Sequence, residues 1–179
     1  MIVGNRINNI SIPYTGNSKI ADKDENQVID EICNQFKTQV EYNGLHRLLY
    51  EKDKKTIKHE SVSQKLFFSV AQIYCIANDL DVSPETNSGS GSVEFKFSRG
   101  NAIKINVELK LTSNNKLIDG YTKQLEAYNL AEGTNQSYYV VIDVKDNPKL
   151  EELKELAKQN EFPVLKVING KYKETASKL

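Results

Sequence analysis

The chain has 179 residues, 39% of them hydrophobic and 27% charged, a balance that suits one folded domain with a sizeable core, with room for an N-terminal appendage. Its 24 basic and 24 acidic residues cancel, which excludes a global positive field drawing in nucleic acid but leaves a locally basic groove open. Cys33 and Cys75 have no Cys or His at zinc-ligand spacing and read as buried reduced thiols; with no signal-peptide pattern and no apolar run of membrane-spanning length, a soluble, cytoplasmic protein is expected.

Residues 1–23 are polar and Asn-rich, and Ile10, Ile12 and Tyr14 alternate as a short edge strand would. From Asp24, a good N-cap, the apolar positions Val28, Ile29, Ile32, Cys33, Phe36 and Val40 form one helical stripe. Asn43-Gly44 supplies the stop signal, and Leu45, Leu48, Leu49 and Tyr50 suggest a short second helix. The charge run Glu51 to Lys55 reads as a solvated turn. A third helix is expected from about His59 to Asp79, with Val62, Leu66, Val70, Ile73 and Ala77 as its main stripe and Phe67, Ala71 and Tyr74 widening it. An extended segment, Asp81 to Thr86, leads into the Gly/Ser-rich turn Asn87 to Ser92.

The hairpin that follows carries the chemistry. Val93, Phe95 and Phe97 alternate with Glu94, Lys96 and Ser98; on the return strand Ile103, Ile105, Val107, Leu109 and Leu111 alternate with Lys104, Asn106, Glu108 and Lys110. Burying both apolar faces together requires paired residue numbers to have an even sum, because a one-residue slip would mix the faces. A turn centred near Asn101 then sets Glu94 opposite Glu108. A helix is expected next, from Leu117 or Asp119 to Ala131, with Gln124 and Tyr128 one turn apart. Ser137 to Val144 has the composition of a strand buried on both faces. Asn147-Pro148 opens a last helix with the stripe Leu150, Leu153, Leu156 and Ala157, and Pro163 to Ile168 is a final strand before Asn169-Gly170.

Glu94 on one core strand, Glu108-Leu109-Lys110 on the next, and the QxxxY pattern Gln124 to Tyr128 on the helix after them resemble the PD-(D/E)XK nuclease superfamily, in its RecB-like branch. The resemblance spans roughly residues 60–144. It implies an α/β restriction-endonuclease-like core, with a central mixed sheet flanked by helices, over residues 59–179, and an N-terminal helical extension over residues 1–58. It also implies a Mg²⁺- or Mn²⁺-dependent nuclease cutting DNA ahead of RNA, in defence against foreign DNA or in repair, alone, as a homodimer or within a larger complex.

In that resemblance Glu94, Glu108 and the Leu109 backbone carbonyl bind the metal. Lys110, forced by strand alternation onto the face of Glu108, orients or helps deprotonate water and steadies developing negative charge. Gln124 and Tyr128 complete the catalytic set. Two departures stand out: the first acid is Glu94 where the family commonly has Asp, and the PD dipeptide is missing, with Pro84-Glu85 ahead of the Gly-rich turn. Glu85 and Glu60 are auxiliary candidates. The alternative is a catalytically weak or inactive module of the same fold that binds nucleic acid or a protein partner; the neutral net charge and Glu94 motivate it. His46 and His59 offer no catalytic or metal constellation.

Overall fold

The computed structural model describes residues 23–84, 94–100 and 103–174. The edge strand expected at Ile10 to Tyr14 and the Gly/Ser-rich turn at Asn87 to Ser92, with Glu85 before it, lie outside the described residues. The described part is an α/β structure built on one five-stranded mixed sheet in the order β1-β2-β3-β4-β5. The strands are β1 (Asp81–Pro84), β2 (Phe95–Arg99), β3 (Ile103–Leu111), β4 (Ser137–Asp143) and β5 (Val164–Asn169). β1, β2 and β3 pair antiparallel, and β3, β4 and β5 pair parallel. No helix among the described residues is long and apolar enough to cross a membrane.

Helices cover both faces. On one lie α1 (Glu25–Glu41) and α2 (Ser61–Ala77), with a 3-10 turn, Leu45–Leu49, between them. Asp24 caps α1 by accepting from the Asn26 N–H, and Gly44, at a φ of 81° that an L side chain resists, turns the chain away after its end. Val28, Ile32, Phe36 and Val40 of α1 pack into the same core as Phe95, Phe97, Ile105, Val107 and Leu109 of the sheet. The segment read from sequence as an N-terminal extension therefore shares its buried surface with the strands.

The buried side of α2 runs through Phe67 and Ala71, expected only to widen the stripe, with Leu66, Val70 and Tyr74 packed partly against the core. Ser63, Phe67, Ala71 and Cys75 face inward, while Ile73 is 70% exposed and Ala77 is also exposed. α2 is apolar around most of its girth, so periodicity alone does not single out a face. The aromatic contacts decide: Phe67 meets Phe36 edge-on at 5.3 Å and Phe95 at 5.1 Å.

On the other face lie α3 (Leu117–Asp119), a π-helical turn (Gly120–Gln124), α4 (Leu125–Glu132) and α5 (Lys149–Ala157). Leu117, Tyr121, Leu125, Leu150 and Leu153 form a second core there with Tyr139 and Val141 of β4. β4, covered on both sides, is buried from Ser137 to Ile142, which is why its sequence is a continuous β-branched and aromatic run. The expected single helix after β3 is thus three helical pieces, interrupted where the Leu125 N–H bonds back to the Gly120 carbonyl, one residue beyond α-helical spacing.

Candidate functional site

The hairpin register is one that parity allows, and it is the one centred on position 101. Phe95 pairs with Val107 and Phe97 with Ile105, and the same register carried one residue further sets Glu94 across from Glu108. Glu94 stands immediately before β2 and not within it. Among the described residues, the β2 pairing with β3 ends at Phe95 and Val107.

Glu60 meets β3 near its end. It sits at the N-cap of α2, and its carboxylate accepts from the Leu111 N–H at 2.8 Å and from Asn114 Nδ2 at 3.2 Å. A main-chain donor near the end of β3 is thereby satisfied from 51 residues away in sequence.

Three carboxylates converge on one ammonium. Lys110 Nζ lies 2.5 Å from Glu108 Oε1, 3.4 Å from Glu60 Oε1 and 3.4 Å from Glu94 Oε1. Glu108 is 1% exposed and Lys110 is 7% exposed. Burial pushes the Glu108 carboxyl up to about 7, against the pull of Lys110, and the charge of Glu94 adds to the rise. For Lys110, burial works to lower the pKa, but Glu108, Glu60 and Glu94 together outweigh it and hold the ammonium above the ordinary lysine range. The cluster is an inward-facing, net-negative group with one fixed cation at its centre.

Its donor set fits a hard divalent cation. All three acids offer oxygen, and Glu108 Oε2 is buried with no hydrogen-bond partner. Buried carboxylate oxygens are normally satisfied, so an orphan beside surplus negative charge suits a cation. Among the described residues, however, no three His, Cys, Asp or Glu side chains are arranged to enclose a metal ion, and the Lys110 ammonium is what the carboxylates surround.

The remaining expected residues are placed less closely. The Leu109 side chain is packed into the α1–α2 core, so only its main chain can serve the cluster. Gln124 ends the π-helical turn, and its Oε1 is a second buried oxygen without a partner. It shares the surroundings of Gly120 with Tyr139. Tyr139 is the cross-strand neighbour of Glu108, and its hydroxyl and Gln124 Oε1 both lie against Gly120, 2.5 and 3.4 Å from where a Cβ on that glycine would be. Tyr128 is half-buried one turn further along α4. Of the two auxiliary candidates, Glu60 is in the cluster and Glu85 is outside the described residues.

Tyr139 is the neighbour that sequence reasoning assigned only to the core. Burial raises its pKa first, and the charges of Glu108 and Glu60 raise it further. Strand alternation carried from β3 across to β4 would have found it, because it needs only the pairing of Glu108 with Tyr139. Lys96 and Lys104, which flank the site in sequence, are both held by Glu132, at 2.7 and 3.2 Å.

Residues 26–146 match a family described as a domain of unknown function (DUF8371), and the chain belongs to that family. No curated protein and no solved structure matches the chain.

Proposed function

Because the description of that family assigns no activity, the function has to be read from the side chains, and we propose that the chain is a metal-dependent nuclease hydrolysing phosphodiester bonds of DNA on a restriction-endonuclease-like core. The observation that carries this reading is the convergence of Glu60, Glu94 and Glu108 on Lys110, with Glu108 Oε2 left unpartnered. Glu94 and Glu108 would hold a Mg²⁺ or Mn²⁺ ion, with Glu60 and the Leu109 carbonyl beside them. The ion would supply charge neutralisation at the scissile phosphate and a lowered pKa for bound water.

The chain's own residues have separable tasks. Lys110 is kept protonated by its carboxylates, so it acts as a fixed positive charge steadying a developing oxyanion or orienting the attacking water, and not as the base. Glu108, whose carboxyl burial raises in the metal-free protein, would be held ionised by the bound cation and serve as its ligand. Glu60 fixes the end of β3 through Leu111 and Asn114 and so holds Lys110 and Glu108 in register with each other. Gln124 and Tyr128, one helical turn apart, would complete the catalytic set. Defence against foreign DNA or repair is the setting this activity suits, in the cytoplasm, with a homodimer or larger complex as the working unit.

A second reading has its own observation. Lys110 is engaged by all three carboxylates at once, and the acid at position 94 is Glu. In that reading the cluster is a structural ion-pair network, and the chain is an inactive module of the same fold that binds nucleic acid or a partner protein. Incubation of supercoiled plasmid and single-stranded DNA with Mg²⁺ or Mn²⁺ separates the two. The nuclease reading predicts nicking or degradation that Lys110→Ala abolishes; the module predicts binding without cleavage.

A further inference from the structure

The tightest approach near the cluster is at Gly120. Residues Gly120–Gln124 form a π-helical turn, closed by the bond from the Leu125 N–H to the Gly120 carbonyl. Beneath it the Tyr139 hydroxyl donates to the Leu117 carbonyl at 2.7 Å, and Tyr139 is fully buried. A Cβ on Gly120 would stand 2.5 Å from that hydroxyl and 3.3 Å from the ring carbon bearing it. The ring cannot swing aside, because Tyr121 packs edge-on against it at 5.5 Å and β4 is enclosed on both faces. The same missing Cβ lies 3.4 Å from Gln124 Oε1, a buried acceptor with no partner.

We propose that Gly120 and Tyr139 are positioning residues: the Tyr139 hydroxyl locks beneath the π-helical turn in the space Gly120 leaves, and this lock sets where Gln124 stands relative to Glu108. Three placements carry it. Tyr139 is paired with Glu108 across β3 and β4, Tyr139 is hydrogen-bonded to the residue opening the helical segment, and Gln124 closes the turn that rests on the lock. An inserted residue that widens a helix by one main-chain step is a device for re-aiming side chains, and here the side chain at its end is Gln124. The consequence for catalysis rests on the nuclease reading; the consequence for the position of Gln124 does not.

The experiment compares Gly120→Ala, Tyr139→Phe and the double variant by two readouts: the ¹⁵N side-chain amide signal of Gln124, and Mg²⁺-dependent cleavage of single-stranded DNA. Gly120→Ala is expected to move the Gln124 signal and to lower kcat by about a hundredfold, with a smaller change in KM, as a misplaced polar group does. Removing the hydroxyl makes room for the new methyl, so the double variant resembles Tyr139→Phe in both readouts and exceeds Gly120→Ala in kcat. Leu153→Ala, in the same core but away from the turn, lowers the melting temperature and keeps kcat. If Gly120→Ala does not fold, Tyr139→Phe alone must still shift the Gln124 signal. An unmoved Gln124 signal, or a double variant no better than Gly120→Ala, overturns the lock. Absence of any wild-type cleavage overturns the nuclease reading instead, and the amide spectra then decide the lock by themselves.

Discussion

Glu108 and Lys110, two residues apart on β3, point to the same side of the sheet and meet at 2.5 Å in a buried setting. Neither is arranged for stability alone. A pair of this kind gains Coulomb energy but loses hydration, and the balance is close only when the remaining lone pairs find donors. Glu108 Oε2 finds none, and two further carboxylates press on the same ammonium.

Removing the ammonium while keeping its bulk tests how far the cluster depends on it. Lys110→Met leaves Glu60, Glu94 and Glu108 facing one another without a counter-charge. A loss of about 3–5 kcal/mol is expected in urea denaturation without divalent cations, the range for breaking a buried pair on one side. Added Mg²⁺ should recover part of it. A variant as stable as wild type would mean that the carboxylates are not coupled through Lys110.

The metal-free protein should lose stability as pH rises through the range where Glu108 ionises. Its pKa is raised from 4.5 to about 7 by burial, so between these values the folded state holds a proton that the unfolded chain has released. The slope of unfolding free energy against pH is then negative. The contribution is fully present below about 4.5 and is lost on passing about 7. Denaturation midpoints at several pH values should fall across this window in wild type and stay flatter in Glu108→Gln. Parallel profiles for the two proteins would place the ionisation elsewhere.

Glu94 Oε1 lies 3.4 Å from Lys110 Nζ, from a position just ahead of β2. Glu94→Asp withdraws the carboxylate by more than the ~0.5 Å that a working constellation tolerates. A drop in metal-dependent cleavage of at least about tenfold is expected. A gain in cleavage would instead identify Glu94 as a handicap at this position.

Glu60 should matter to β3 even without catalysis. Glu60→Ala strands the Leu111 N–H and frees Asn114. An unsatisfied buried donor costs about 1–3 kcal/mol. Amide hydrogen exchange at Leu111 should accelerate sharply in this variant, with far less change at Ile105, near the other end of the strand and paired with Phe97. Unaltered protection at Leu111 would show that the bond carries no weight.

Much of the site follows from local pattern. Alternation in the hairpin set the parity of the register and the shared face of Glu108 and Lys110, and the turn position chose the even-sum register that is found. The α1 stripe was equally legible, because its apolar positions occupy one side only. What could not be read depends on contacts between distant segments. Glu60 was legible as an auxiliary candidate, but its contact with Lys110 and its hold on Leu111 arise because α2 begins beside the end of β3, a fact of packing. The buried face of α2 was ambiguous because nearly every face is apolar, and Phe36 and Phe95 choose among them. The π-helical turn is hidden because one additional residue within a helix barely disturbs a pattern of threes and fours. Local rules fail most often where a site is assembled, and they fail here around Gly120 and Tyr139.

The central claim is that the carboxylate cluster and Lys110 form a metal-dependent hydrolytic site. The most direct measurement is cleavage of plasmid and single-stranded DNA by the folded protein with Mg²⁺, with Mn²⁺ and with chelator, beside Glu108→Ala and Lys110→Ala. Cleavage that requires the divalent ion and vanishes in both variants is the predicted result. Folded wild-type protein that leaves both substrates intact with either metal, or Lys110→Ala cutting as well as wild type, would contradict it.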